Sequence, residues 1–164
     1  MRLLIHRGCD RFRPHATCCW DAPTLRERTE LVGFVVHEDL DGYADAGYER
    51  IRKALADELT RQCPQFSTAL ALAAWESESW SLLFPDAFPH VRPRWKVPAK
   101  LLNKDTGRIR DAKEKLKRGL GLPVFRESDG PAVARKALEH RLIPTPRDGN
   151  RSYADFVGDL TDWT

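Results

Sequence analysis

No apolar stretch of this chain approaches the roughly 20 residues that span a bilayer, so no membrane association is expected. The opening "MRLLIHRGCD" has too short an apolar run for a secretory signal, and the expected location is the cytoplasm. Cys9, Cys18, Cys19 and Cys63 lack the C-x-x-C pairing of a zinc site. The adjacent Cys18 and Cys19 suit neither a ligand pair nor an ordinary disulfide, so all four read as reduced thiols. The five histidines, His6, His15, His37, His90 and His140, show no paired ligand spacing; His37 reads as a strand residue facing the sheet's cover. A G-x-S-x-G elbow and a Walker glycine loop are both missing, which excludes the serine-hydrolase elbow and P-loop ATP binding. With no helix-turn-helix, zinc finger or aromatic RNA motif, sequence-specific readout of nucleic acid is not expected. Repeats and low-complexity tracts are absent as well.

What is present is a 164-residue chain, 41% apolar and 31% charged, the profile of one globular domain with a proper core. The net charge of +3 conceals an asymmetry. Residues 21–90 carry 6 basic and 13 acidic side chains, whereas residues 91–118 carry 11 basic and 3 acidic. An acidic part beside a basic segment suggests an anionic partner held near a carboxylate site.

Hydrophobic patterning predicts an α/β fold: a small, mainly parallel sheet flanked by helices, with a helical C-terminal half. "RLLIH", residues 2–6, reads as a short strand, and residues 7–30 as loop with a short helix in "APTLRERTE". "ELVGFVVH", residues 30–37, is a near-continuous apolar run, the mark of a strand covered on both faces. A helix over 43–62 places Tyr48, Ile51, Leu55 and Leu59 on one face, and "FSTALALAAW", residues 66–75, is a second buried strand. Together these form a βαβ unit with an expected right-handed crossover. A helix is expected to start in "ESESWSLLF", followed by an irregular excursion over 84–100 with four prolines. Residues 99–118 read as a basic helix or helix pair interrupted near Thr106 and Gly107. A further helix is capped by Ser128 or Asp129 with Pro131 in its first turn. A C-terminal helix presents Tyr153, Phe156, Leu160 and Trp163 on one face. The βαβ part with its acidic residues spans 1–90, and the basic, helical part 91–164.

The acidic stretch "HEDLDGY" ends the first valine-rich strand. Ligands of open α/β sheets bind at the carboxyl ends of strands. A D-x-D pair there, Asp39 and Asp41, directs two carboxylates to one side if the chain stays extended. Such oxygen ligands hold Mg²⁺ or Mn²⁺ near phosphate. The same carboxylates also suit a solvated loop that caps the following helix. Trp75 and Trp80, which bracket "ESES", read as core residues.

The order of several short motifs resembles a family of bacterial Toprim-like proteins, mostly uncharacterised, some linked to phage defence alongside an ATPase partner. The matching elements are the strand ending in Asp39-Leu40-Asp41 and the strand-to-helix junction with Glu78, Trp80, Leu82, Leu83 and Asp86. Further on come "VPAKLL", then "VFRESDGPAVA" with Phe125 where the family has tyrosine, and the terminal helix "RSYADFV". The resemblance covers roughly residues 31–163. It implies a Toprim-like domain, a metal-dependent phosphodiester-acting activity of nuclease type, and a place in genome or phage defence. It also implies that Glu78 joins Asp39 and Asp41 around Mg²⁺ or Mn²⁺, with Glu76 turned away by the roughly 200° that two helical residues rotate. One position departs from the pattern: Arg7 stands where a catalytic Toprim strand ends in glutamate, leaving Asp10 or Glu38 to substitute. Without a substitute, the resemblance implies a non-cleaving subunit that binds a protein partner, such as an ATPase, or nucleic acid.

The basic segment supplies the expected nucleic-acid contacts: Arg92, Arg94, Lys96, Lys100, Lys113 and Lys117 for phosphates, and Trp95 to stack a base. Intrahelical pairs at i,i+4, Asp111 with Lys115 and Glu114 with Arg118, account for only two of its eleven cations.

Overall fold

The computed structural model describes residues 32–163 and, as backbone, the short strand 5–7. Expectations that fall on residues 8–31, Gly8 and Asp10 among them, lie outside the described residues. Strands β1 (Ile5–Arg7), β2 (Gly33–Asp39) and β3 (Ser67–Ala73) form a parallel sheet in the order β1-β2-β3. The registers set Arg7 opposite His37 and Asp39 opposite Ala73. Helix α1 (Ala46–Gln62) links β2 to β3, as the sequence pattern predicts. Short helices α2 (Glu78–Ser81) and α3 (Phe88–Val91) follow, then α4 (Ala112–Gly119), α5 (Gly130–Glu139) and α6 (Arg151–Thr161). Between α3 and α4 the chain makes only two 3₁₀ turns, Ala99–Leu101 and Thr106–Arg108, so the expected basic helix over 99–118 reduces to α4.

Both faces of the sheet are covered, which explains the valine-rich run in β2. On one face Val36, Leu70 and Leu72 pack against Tyr48, Leu55, Ala56 and Leu59 of α1. On the other, Val35, Ala69 and Ala71 meet Trp80, Phe156 and Trp163. Trp80 lies parallel to Phe156 at 5.4 Å between ring centroids. Leu160 and Ile51, both expected to face inward, are 36% and 46% exposed. Arg52 takes the inward position that the pattern gave to Ile51. Its guanidinium pairs with Asp159 and donates to the Leu70 carbonyl, tying α1 to α6 across the sheet edge.

The largest core lies in the C-terminal half, where Leu82, Leu83, Phe88, Trp95, Leu116, Phe125 and Val133 are all within 1% of complete burial. Each such side chain contributes roughly 1.5–3 kcal/mol by leaving water. Trp95 is 1% exposed, and its indole N–H donates to the Pro123 carbonyl at 2.7 Å. The expectation that Trp95 stacks a base is therefore wrong: the proline-rich excursion folds inward and buries the ring, whose N–H finds a backbone acceptor inside.

A buried polar knot joins the two halves. Asn150 caps α6, its Oδ1 accepting from the Tyr153 amide and the Ser152 hydroxyl, while its Nδ2 donates to Ser79 and Thr106. Ser152 Oγ accepts in turn from the Ala74 amide at 3.1 Å and the Trp80 indole at 3.0 Å. Asn150→Ala removes the cap and the acceptor of the buried Ser152 hydroxyl, and takes one partner each from Ser79 and Thr106. It is expected to lower the unfolding free energy by about 3 kcal/mol; a denaturation midpoint near that of the wild type would show the knot to be dispensable.

Candidate functional site

The carboxyl ends of β2 and β3 carry the acidic residues. Asp39 is the last residue of β2, because the strand runs two residues beyond the apolar stretch that predicts it. Its Oδ1 accepts the Ser77 amide at 2.9 Å, bridging β2 to the turn that follows β3. His37, two residues back on the strand, brings Nε2 to 3.6 Å from the same oxygen. Burial raises the proton affinity of Asp39, with the charges of Glu76 and Asp41 adding to the effect and His37 and the Ser77 amide opposing it.

Glu78 opens α2 and is likewise pushed upward, chiefly by burial. Glu76 and Asp39 push the same way, while its own amide and Lys113 oppose. The Asp39 charge is thus felt at Glu78. Glu76 belongs to the cluster too, against expectation. Helix α2 begins only at Glu78, so Glu76 precedes it and the helical rotation that was to turn it away does not apply. Its Oε2 accepts the Lys113 amide at 2.9 Å. That bond caps α4 from a distance, where Asp111 at φ +55° provides no side-chain cap.

Asp41 stands apart. Its φ of +50° takes it out of extended geometry, so it does not share a side with Asp39 in the manner of alternate strand residues. It is exposed, and its charge reaches Asp39 only as the last of the influences there. Nor does either aspartate cap α1: Asp45 does, accepting the Gly47 and Tyr48 amides at 2.7 and 3.2 Å.

Oxygen-only donors suit a hard divalent cation in type. In placement they fall short: among the described residues, no three of His, Cys, Asp and Glu converge to hold a metal ion. Asp39 and Glu76 each spend an oxygen on a backbone amide instead.

The basic residues separate into groups. Lys113 and Lys117 do not face outward as free cations; they pair with Glu127 at 2.8 Å and Glu114 at 2.6 Å. Lys113 leans on the acidic rim, raised by Glu127 first and also by Glu76 and Glu78. Of the expected i,i+4 pairs, Glu114 chooses Lys117 and not Arg118. Lys96 is exposed, and Arg92 and Arg94 line a hollow of about 380 Å³ with Pro93, Leu122 and Pro123. Lys100 and Lys104 line a larger hollow, about 590 Å³, with Arg108 and Lys115. Trp75, half-buried at φ +61°, lies at the rim under the Arg110 guanidinium, 5.4 Å from its ring centroid.

No helix among the described residues is long and apolar enough to cross a membrane. Comparison of the chain with protein-family models, with curated proteins and with solved structures finds no match.

Ionised Asp39 and Glu78 oppose folding at neutral pH, since burial raises both pKa values above those of the unfolded chain. The cost is present above the raised values, shrinks as pH falls through them, and vanishes below the ordinary carboxyl range, where both states are protonated. Glu78→Gln is thus expected to melt higher than the wild type at about pH 7.5, with the gap closing toward about pH 4. Thermal melts across that range that show a pH-independent difference, or a less stable variant, would contradict this.

Proposed function

We propose that this chain is a Toprim-like domain of nuclease type that acts on the phosphodiester backbone of nucleic acid, with Asp39 and Glu78 as its reacting end. The observation that carries the reading is the pair of carboxyls at the carboxyl rim of a parallel sheet, Asp39 at the exposed end of β2 and Glu78 half-buried at the start of α2. Each has its proton affinity raised by burial and by neighbouring carboxylates, Asp39 by Glu76 and Asp41, Glu78 by Glu76 and Asp39. A carboxyl tuned upward in this way can hold or accept a proton closer to neutral pH, which is what general acid–base chemistry at a phosphodiester asks of a side chain. Asp39 is oriented for such a role by its bond from Ser77. Glu78 is anchored by the short helix it opens. The basic segment that follows in the chain supplies cations to hold an anionic backbone beside that rim. The sequence resemblance carries the rest of the reading: a requirement for Mg²⁺ or Mn²⁺, a role in bacterial genome or phage defence, and a possible ATPase partner.

A second reading is a non-cleaving Toprim-like subunit that binds nucleic acid or a partner protein. It is favoured by Arg7 in place of the glutamate and by the absence, among the described residues, of three converging ligands.

The purified full chain incubated with plasmid, single-stranded DNA and RNA, in Mg²⁺, Mn²⁺ or chelator, separates the two. Cleavage is expected with the divalent ions and not in chelator. Asp39→Asn and Glu78→Gln are each expected to slow it by about 10²–10⁴-fold. Rates unchanged in both variants would remove the acidic rim from the chemistry, and retention of all substrates uncut would establish the non-cleaving reading.

A further inference from the structure

We infer that the hollow between Lys100, Lys104, Arg108 and Lys115 is the place where the nucleic-acid backbone is gripped, and that Arg108 and Arg110 lead it to the acidic rim; the inference rests on the function proposed above. The hollow measures about 590 Å³, in the size range of sites that take a ligand segment and not a single ion. Its polar lining is four cations against one carboxylate, Asp105. Those cations come from separate stretches. Lys100 lies in the 3₁₀ turn Ala99–Leu101, Lys104 follows it, Arg108 ends the next turn, and Lys115 lies on α4. Charge distributed along a surface in this way fits a ligand with repeated anionic groups, as a phosphate backbone has.

Two of the arginines are fixed in advance, by the loops that carry the carboxylates. The Arg108 guanidinium lies over the Tyr43 ring at 4.7 Å and donates to Asp105 Oδ2 at 3.3 Å. Tyr43 donates its hydroxyl to that same oxygen at 2.9 Å, and Asp105 Oδ1 accepts the Gly107 amide. Arg110 lies over Trp75 at 5.4 Å. Tyr43 is four residues beyond Asp39, Trp75 is the residue before Glu76, and the Trp75 amide donates to the Gly42 carbonyl at 2.9 Å. The same two loops therefore carry aromatic platforms for guanidinium groups close in sequence to the carboxylates. A planar guanidinium held on a ring loses little further freedom on gripping a phosphate. Lys115 is held too, its Nζ donating to the Arg110 carbonyl. By contrast Lys113 and Lys117 already have carboxylate partners, while Lys100 and Lys104 have none among the described residues.

The test is anisotropy of labelled single-stranded and duplex oligonucleotides, titrated with the full chain in chelator so that no turnover intervenes, over a series of salt concentrations. Lys104→Glu is expected to weaken binding about tenfold, and the slope of log affinity against log salt to fall by about 0.7–0.9, the value for one lost phosphate contact. Arg135→Glu, the same charge change on the exposed surface of α5, is expected to stay within about twofold. Arg108→Lys keeps the charge but loses the planar fork, and is expected to weaken binding about fivefold with the salt slope retained. The inference is overturned if Lys104→Glu has no more effect than Arg135→Glu, or if reversal of Arg92 and Arg94 weakens binding more than reversal within the hollow. Binding lost in the hollow variants by a chain that never cleaves would leave the inference standing and remove the nuclease reading. Persistent cleavage with hollow variants that bind normally would do the reverse.

Discussion

Asn150 and Ser152 hold the molecule's two halves in register, and the acidic rim depends on that register. Ser79, which receives a bond from Asn150, is the neighbour of Glu78. Trp80 and Ala74, which donate to Ser152, flank the turn that contains Glu76 and Glu78. The four polar residues of the knot, Ser79, Thr106, Asn150 and Ser152, are each at most 7% exposed. A buried polar group without a partner costs about 1–3 kcal/mol, so a satisfied network of this kind tolerates few alternative arrangements. The turn after β3 is thus fixed from behind by α6, and Thr106 is fixed by the same asparagine. Thr106 begins the turn that ends in Arg108, so one side chain positions both the carboxylate loop and the start of the arginine pair.

That rigidity explains how like charges come to be kept together. The Glu76 charge disfavours ionised Asp39 and Glu78, and the Asp39 charge disfavours ionised Glu78, on top of what burial costs both. Two compensations are visible. The Ser77 amide reaches Asp39, and the positive end of α4 reaches Glu76 through the Lys113 amide. Neither neutralises Glu78, against which only its own amide and Lys113 act. A strained electrostatic site that the fold holds in place is a common sign of function, because the surrounding structure must over-determine it. Here the over-determination comes from the knot behind the rim and from the two aromatic platforms beside it.

The proline-rich segment shows where composition misleads. Four prolines and three cations within residues 84–98 suggest an exposed arm, yet Phe88, Trp95 and Val97 anchor the largest core. Arg94 and Lys96 stay outside on either side of the buried Trp95, and Arg92 stays outside beside the exposed Pro93. Charge marks the exposed positions correctly; it says nothing about the ring between them. The aromatic residues that do meet cations, Tyr43, Tyr48 and Trp75, are in the acidic part of the chain.

Periodicity within single elements was enough to read β2, α1 and β3 and their order, because each buries a continuous stripe and the connection between parallel strands requires a helix. It also marked Asp39, which stands where a buried run meets solvent, whereas Glu78 was pointed to only by the resemblance to Toprim-like proteins. What the chain's own pattern left open depended on residues distant in sequence. Glu76 joined the cluster because α2 starts two residues later than its acidic run suggests, and because α4 offered an amide. Asp41 left it because one backbone angle turned positive. Which cations stay free was decided by Glu114 and Glu127 choosing partners. Those are outcomes of tertiary packing, where a few hydrogen bonds between far-separated segments select among local conformations of nearly equal energy.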